Sequence, residues 1–168
     1  MQQPPLLPEE TLARVLRLAR LDGISVLAVA TLFALMAAVN GDFVGAVIGL
    51  LVAGAGAIEM HGGTLLQHGE IRGVNWLVGS QLFLMLSILV YCLLRLLHPD
   101  DTLIRDNITD EMKASLQNIG WSIDKFLGFF NLLTYGVLAL ATLIYQGGMA
   151  VYYFRRRRAL EQALEEEM

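Results

Sequence analysis

Apolar positions along this chain fall in four long runs rather than in short alternating pieces. A helix crossing a hydrocarbon core roughly 30 Å thick needs about 20 such residues, and its backbone polar groups must be satisfied internally. The runs cover about residues 23–39, 43–66, 73–97 and 126–154, and each predicts a transmembrane helix. Only Asn40-Gly41-Asp42 separates the first two, so the second helix must return antiparallel at once. The expected fold is an all-α integral membrane protein, a four-transmembrane-helix antiparallel bundle that forms one membrane domain over residues 1–168.

The segments flanking these spans have patterns of their own. Residues 1–22 are a lead-in with Pro4, Pro5 and Pro8, followed from Glu9 by a helical stripe of Leu12, Val15, Leu16 and Ala19 with Arg14, Arg17 and Arg20 off it. An amphipathic helix edged by arginines suits the lipid headgroup region; the same stripe also suits a helix packed on the bundle. His98-Pro99-Asp100-Asp101 breaks the third span, and residues 98–125 form the sizeable loop. Within it Thr109, Asp110 and Glu111 precede Met112, Leu116, Ile119 and Ile123, which predicts a capped amphipathic helix. Trp121 stands before the last span, where interfacial aromatics collect. Residues 155–168 keep helical spacing, with Arg157 four before Glu161 and Leu160 four before Leu164, so the last helix is expected to continue as a tail ending in Glu165 to Glu167.

Composition strengthens the membrane reading. Mean hydropathy is +0.55 and only 17% of residues are charged, against about a quarter in soluble domains. The net charge of −4 says little, because the charges gather at the ends and in one loop. Their placement says more. Arg14, Arg17, Arg20, Arg72 and Arg155 to Arg158 make eight basic residues on one side, and Arg95, Arg105, Lys113 and Lys125 make four on the other. The positive-inside rule then puts both termini in the cytoplasm. Arg155, Arg156, Arg157 and Arg158, directly after the last span, are expected at anionic lipid headgroups. The first apolar run resembles a signal-peptide core, but three more follow it and no cleavable leader is expected. Compact loops favour a bacterial inner membrane. Asn107-Ile108-Thr109 is a formal glycosylation tripeptide with little weight on its own. The single cysteine, Cys92, lies in an apolar run and reads as a small hydrophobe.

The second span carries the candidate chemistry. Gly45, Gly49, Ala53 and Gly56 recur every three or four residues and line one face, which Glu59 and Gly63 continue. Small residues at that spacing let another helix approach closely, from the same chain or from a neighbour. Glu59 is therefore expected to point into a helix contact or a central space rather than toward lipid. At about 1.5 Å per residue it lies roughly 12 Å inside the boundary near Gln67. Equal counts along the other spans reach Gln81 with Ser80 beside it, Gln146 with Tyr145, and Thr31. No lysine or arginine shares that level, so Glu59 is expected to be protonated, hydrogen-bonded to amides, or open to water. An acid so placed suits a proton or cation site; it also suits a structural hydrogen bond that sets helix register. Asn131 and Tyr135, with Tyr91 and Ser87, form a smaller polar group in the outer half.

His61 and His68 share another face of the same helix, and a metal site including Glu59 would require local unwinding at Gly62-Gly63. No cofactor is expected. The sequence contains no P-loop, nucleophile elbow or paired-carboxylate motif, and its arginine cluster lacks the interleaved aromatics of a nucleic-acid site. Three functions remain: an oligomeric pore or carrier subunit for protons or small cations, a scaffold assembling with copies or with another membrane protein through the glycine face, and a lipid-modifying enzyme.

Overall fold

The computed structural model describes residues 8–99, 105 and 107–166. The prolines Pro4 and Pro5, the acidic pair Asp100-Asp101 and Glu167 lie outside the described residues. Five helices account for nearly all the rest: α1 (Pro8–Val39), α2 (Phe43–Gln67), α3 (Gly73–Leu97), α4 (Asp110–Asn118) and α5 (Ile123–Glu166). No strand occurs among the described residues. Four of the helices, α1, α2, α3 and α5, are long and apolar enough to cross a membrane.

The helix ends follow from local chemistry. Pro8 opens α1, where its missing N–H costs nothing, and Glu9 and Glu10 complement the helix dipole. Gly41, at φ +74°, closes α1: the Asp42 N–H donates to the Ala37 carbonyl and the Gly41 N–H to that of Ala38. Asp42 then caps α2 by accepting from the Gly45 N–H at 2.9 Å. Gly69, at φ +78°, ends α2 with the same pair of reversed bonds to Leu65 and Leu66. Thr109 caps α4 through the Met112 N–H, and Leu116 is its buried residue while Met112 and Ile119 stay exposed.

Two boundaries differ from the sequence reading. The amphipathic stretch up to residue 22 and the first span are one continuous helix, because no residue between Arg20 and Val39 breaks it. Its stripe does not stand apart from the bundle: Leu12, Val15 and Ala19 are buried in one cluster with Leu66, Val74, Leu77, Tyr153, Leu160, Ala163 and Leu164. The last span and the tail are likewise one helix of 44 residues, about 66 Å long at 1.5 Å per residue. That is about twice the hydrocarbon thickness. Leu160, Ala163 and Leu164 on the tail share one apolar cluster with Leu12 and Val15 at the start of α1.

Neighbouring helices pack in the order α1 on α2, α2 on α3 and α3 on α5, with a less extensive contact between α1 and α5. Large apolar side chains line much of the exterior, and several polar ones are buried. Val29 is 68% exposed and Ile144 69%, whereas Glu59 is 1% exposed and Gln81 fully buried. The exterior is thus largely apolar while a few polar side chains lie inside an otherwise apolar core, a pattern compatible with a membrane-embedded bundle.

Candidate functional site

The small residues of α2 bring α1 of the same chain into backbone contact. A Cβ on Gly56 would stand 2.8 Å from the Gly23 carbonyl oxygen, and one on Gly49 2.8 Å from the Ala34 Cβ. Gly45 lies against Ala37 and Gly63 faces Ala19, so the seam of Gly45, Gly49, Ala53, Gly56 and Gly63 is buried within one chain. It is not a free face awaiting another copy. The close approach carries the next residue on that face, Glu59, into the interior between α1, α3 and α5.

There Glu59 Oε1 accepts a 2.8 Å hydrogen bond from the Tyr153 hydroxyl of α5. Gln81 and Asp22 also lie against its carboxyl. Asp22, on α1, accepts from Gln81 Nε2 at 3.2 Å and from the Tyr145 hydroxyl at 3.2 Å. Two carboxyl groups from two helices thus lie beside one shared amide, Gln81, and each accepts from its own phenol, Glu59 from Tyr153 and Asp22 from Tyr145. The ion pairs among the described residues, Arg72–Glu70, Arg95–Asp42, Arg105–Asp124, Lys113–Asp110 and Arg157–Glu161, all lie elsewhere. Gln81 Oε1 and Gln146 Oε1 are buried acceptors without a hydrogen-bond partner among the described residues. The site therefore offers several acceptors and few donors, which suits a proton or a cation better than an anion.

The residues expected from equal depth are only partly brought together. Gln81 and Tyr145 belong to the network, and Gln146 is buried beside it. Thr31 does not join: it is exposed, and its hydroxyl donates to the Leu27 carbonyl of its own helix. Ser80 likewise bonds to its own helix, at Leu77. Asp22 and Tyr153, absent from the depth count, take the places assigned to Thr31 and Gln146. The expected level on α1 is measured from Gly23 and on α5 from Arg155, yet both helices continue past those points. Each is therefore displaced along α2, away from the α2–α3 turn, relative to that expectation, by nine residues on α1 and seven on α5. A usable signal existed for Asp22, the sole charged residue between Arg20 and Asn40, in a stretch with no helix breaker.

His61 and His68 do not converge. His61 is exposed and packs edge-on against Trp76 with ring centroids 5.4 Å apart, while His68 Nδ1 lies 2.8 Å from the Thr64 carbonyl. Among the described residues no three His, Cys, Asp or Glu side chains gather as a metal site would require. In the arginine cluster, Arg156 lies over the Tyr152 ring and Arg157 pairs with Glu161 at 3.0 Å, leaving Arg155 and Arg158 exposed.

At the opposite end of the bundle Arg95 forms an ion pair with Asp42 and lies over the Tyr91 ring. Tyr91 meets Tyr135 edge-on at 5.9 Å and Phe33 at 6.0 Å. The expected meeting of Tyr91 and Tyr135 is therefore present, whereas Ser87 donates to the Phe83 carbonyl of its own helix. Asp42 thus holds two structures at once, the start of α2 and the end of α3.

Compared with known proteins, the chain matches no family model, no curated protein and no solved structure.

Proposed function

We propose that this chain is an integral membrane protein, an antiparallel four-helix bundle with both termini in the cytoplasm of a bacterium, that carries protons or small cations through the Asp22–Glu59 carboxyl pair. One observation carries the reading: two acids at span depth lie against each other with neutral partners only, Tyr153, Tyr145 and Gln81. Like charges this close repel, so a proton or another cation between them is strongly favoured. Ionisable groups inside membrane spans are costly, and those retained commonly mark ion pathways. A purely structural Glu–Tyr bond would not need the second acid, whose presence raises the cost of the first.

Four helices enclose little space, so a second copy docking through the exposed apolar faces is part of this proposal. The glycine seam is not, since α1 fills it. The exposed arginines at the foot of α5 favour contact with anionic lipid on the cytoplasmic side.

The test is flux into proteoliposomes under an imposed pH gradient, read by an internal pH dye. Glu59→Gln and Asp22→Asn should each slow uptake by about tenfold or more, the effect of about 1.4 kcal/mol. Thr31→Ala, exposed and away from the network, is the matched control. Uptake unchanged in both acid variants removes the carrier reading and leaves the pair as a helix-positioning contact.

A further inference from the structure

A cavity of about 440 Å³, open on one side, lies between α1, α2, α3 and α5, lined mainly by Val26, Phe33, Ile48, Val52, Leu84 and Tyr91. Its volume falls within the range of about 300–1,000 Å³ usual for small-molecule sites. Its principal polar feature is Gln146, only 7% exposed, whose Oε1 has no hydrogen-bond partner among the described residues. That end adjoins the carboxyl network. Ser25 and Val26 of the wall follow Asp22 by one helical turn, and Gln146 follows Tyr145, whose hydroxyl bonds Asp22. At the far end the edge contacts of Tyr91 with Phe33 and Tyr135 lie beneath the Asp42–Arg95 pair.

We infer that this cavity holds the apolar body of an organic ammonium ion whose charged end is seated between Gln146 and Asp22. The inference rests on the acid pair being a cation site, and it names the class of cation. Membrane lipid is as apolar as the cavity wall, so burial of an apolar body gains little over leaving it in the bilayer. Selection must then come from the polar end. The polar groups near that end are acceptors: the buried Gln146 carbonyl oxygen, which has no partner among the described residues, and the half-buried Asp22 carboxyl one turn before Ser25, which already accepts from Gln81 and Tyr145. A neutral alcohol supplies one donor and no charge, and an anion meets two acids. An ammonium supplies several donors and offsets the like-charge repulsion between Asp22 on α1 and Glu59 on α2, whose other facing groups, the Tyr145 and Tyr153 hydroxyls on α5 and Gln81 on α3, are neutral. A bare metal ion would use the acids but leave the apolar cavity without a role.

The test is calorimetric titration of the full chain in nanodiscs with 2-phenylethylammonium, and with the neutral isostere 2-phenylethanol. The ammonium should bind, and the alcohol should bind at least about tenfold more weakly. Asp22→Asn should weaken the ammonium by a similar factor, and so should Val52→Phe, which fills the cavity from α2. If Val52→Phe does not fold, Leu84→Phe fills the same space from α3. Equal binding of the alcohol, or ammonium binding untouched by either filled cavity, overturns the inference. Glu59-dependent proton uptake without ammonium binding overturns this inference alone. Asp22-dependent ammonium binding without such uptake supports it and overturns the transport reading instead.

Discussion

Tyr153 and Glu59 stand 94 residues apart in sequence, yet the Tyr153 hydroxyl donates to Glu59 Oε1 at 2.8 Å and both side chains are buried. This bond joins the foot of α5 to the middle of α2 just above the apolar cluster of Leu66, Leu77 and Leu160. It also sets the vertical register of α5, because a slip of one turn would move the phenol by about 5.4 Å.

Removing only the donor should cost more than removing both partners. Tyr153→Phe leaves a buried carboxyl oxygen short of a donor and should destabilise by about 1–3 kcal/mol. Adding Glu59→Leu to it should cost less than the two single changes summed, since the orphaned group is gone. Reversible unfolding in bicelles measures this. Additivity within about 0.5 kcal/mol would mean that the bond contributes nothing beyond its separate parts.

The two kinds of glycine on α2 should respond in opposite ways. Gly56→Leu must displace the Gly23 and Leu27 backbone of α1, since its Cβ alone comes within 2.8 Å of the Gly23 carbonyl oxygen. Overpacking of this sort costs about 1–3 kcal/mol. Gly54, where an added Cβ meets nothing within 4 Å, should accept alanine with a gain of up to about 1 kcal/mol from helix propensity. Because the seam is internal, Gly56→Leu should lower the stability of each copy rather than merely dissociate an assembly. Sedimentation of the variant as a smaller but equally stable species would contradict this.

The orientation can be checked from both sides of the membrane. Cys92 is the single cysteine and is buried, so Cys92→Ala provides a background without a thiol. On that background Gln117→Cys, exposed on α4, should react with a membrane-impermeant maleimide added outside intact spheroplasts. Gln162→Cys, exposed near the end of α5, should react only after permeabilisation. The reverse pattern would invert the orientation and place the arginine cluster outside.

The elements were largely legible because membrane helices are written in long apolar runs, and Asp42, Thr109 and the glycines after the helices mark their ends locally. The face of α2 was legible too: small residues three and four apart can serve little except close packing, and an acid on the same face had to follow them inward. Depth within the bundle is what the local pattern does not encode. Bounding the spans where charge begins starts the first at residue 23, just past Asp22, and ends the fourth at 154, one residue after Tyr153 and before four arginines. Both judgments treat polarity as a measure of distance from the membrane centre. α1 and α5 break that rule by supporting each other through Leu12, Val15, Leu160 and Leu164.

The sequence by itself determined the four apolar helices, their turns and the inward direction of Glu59, since each depends on residues within a few positions of one another. Only the tertiary structure decided what Glu59 meets. Its partners Asp22, Gln81 and Tyr153 come from three other helices, and their meeting depends on how far those helices slide past one another. Sliding along a helix axis changes no local hydrogen bond and no hydrophobic period, so no local pattern records it. The side-chain packing of the assembled bundle sets that register, and with it the second acid that turns one buried carboxyl into a candidate cation site.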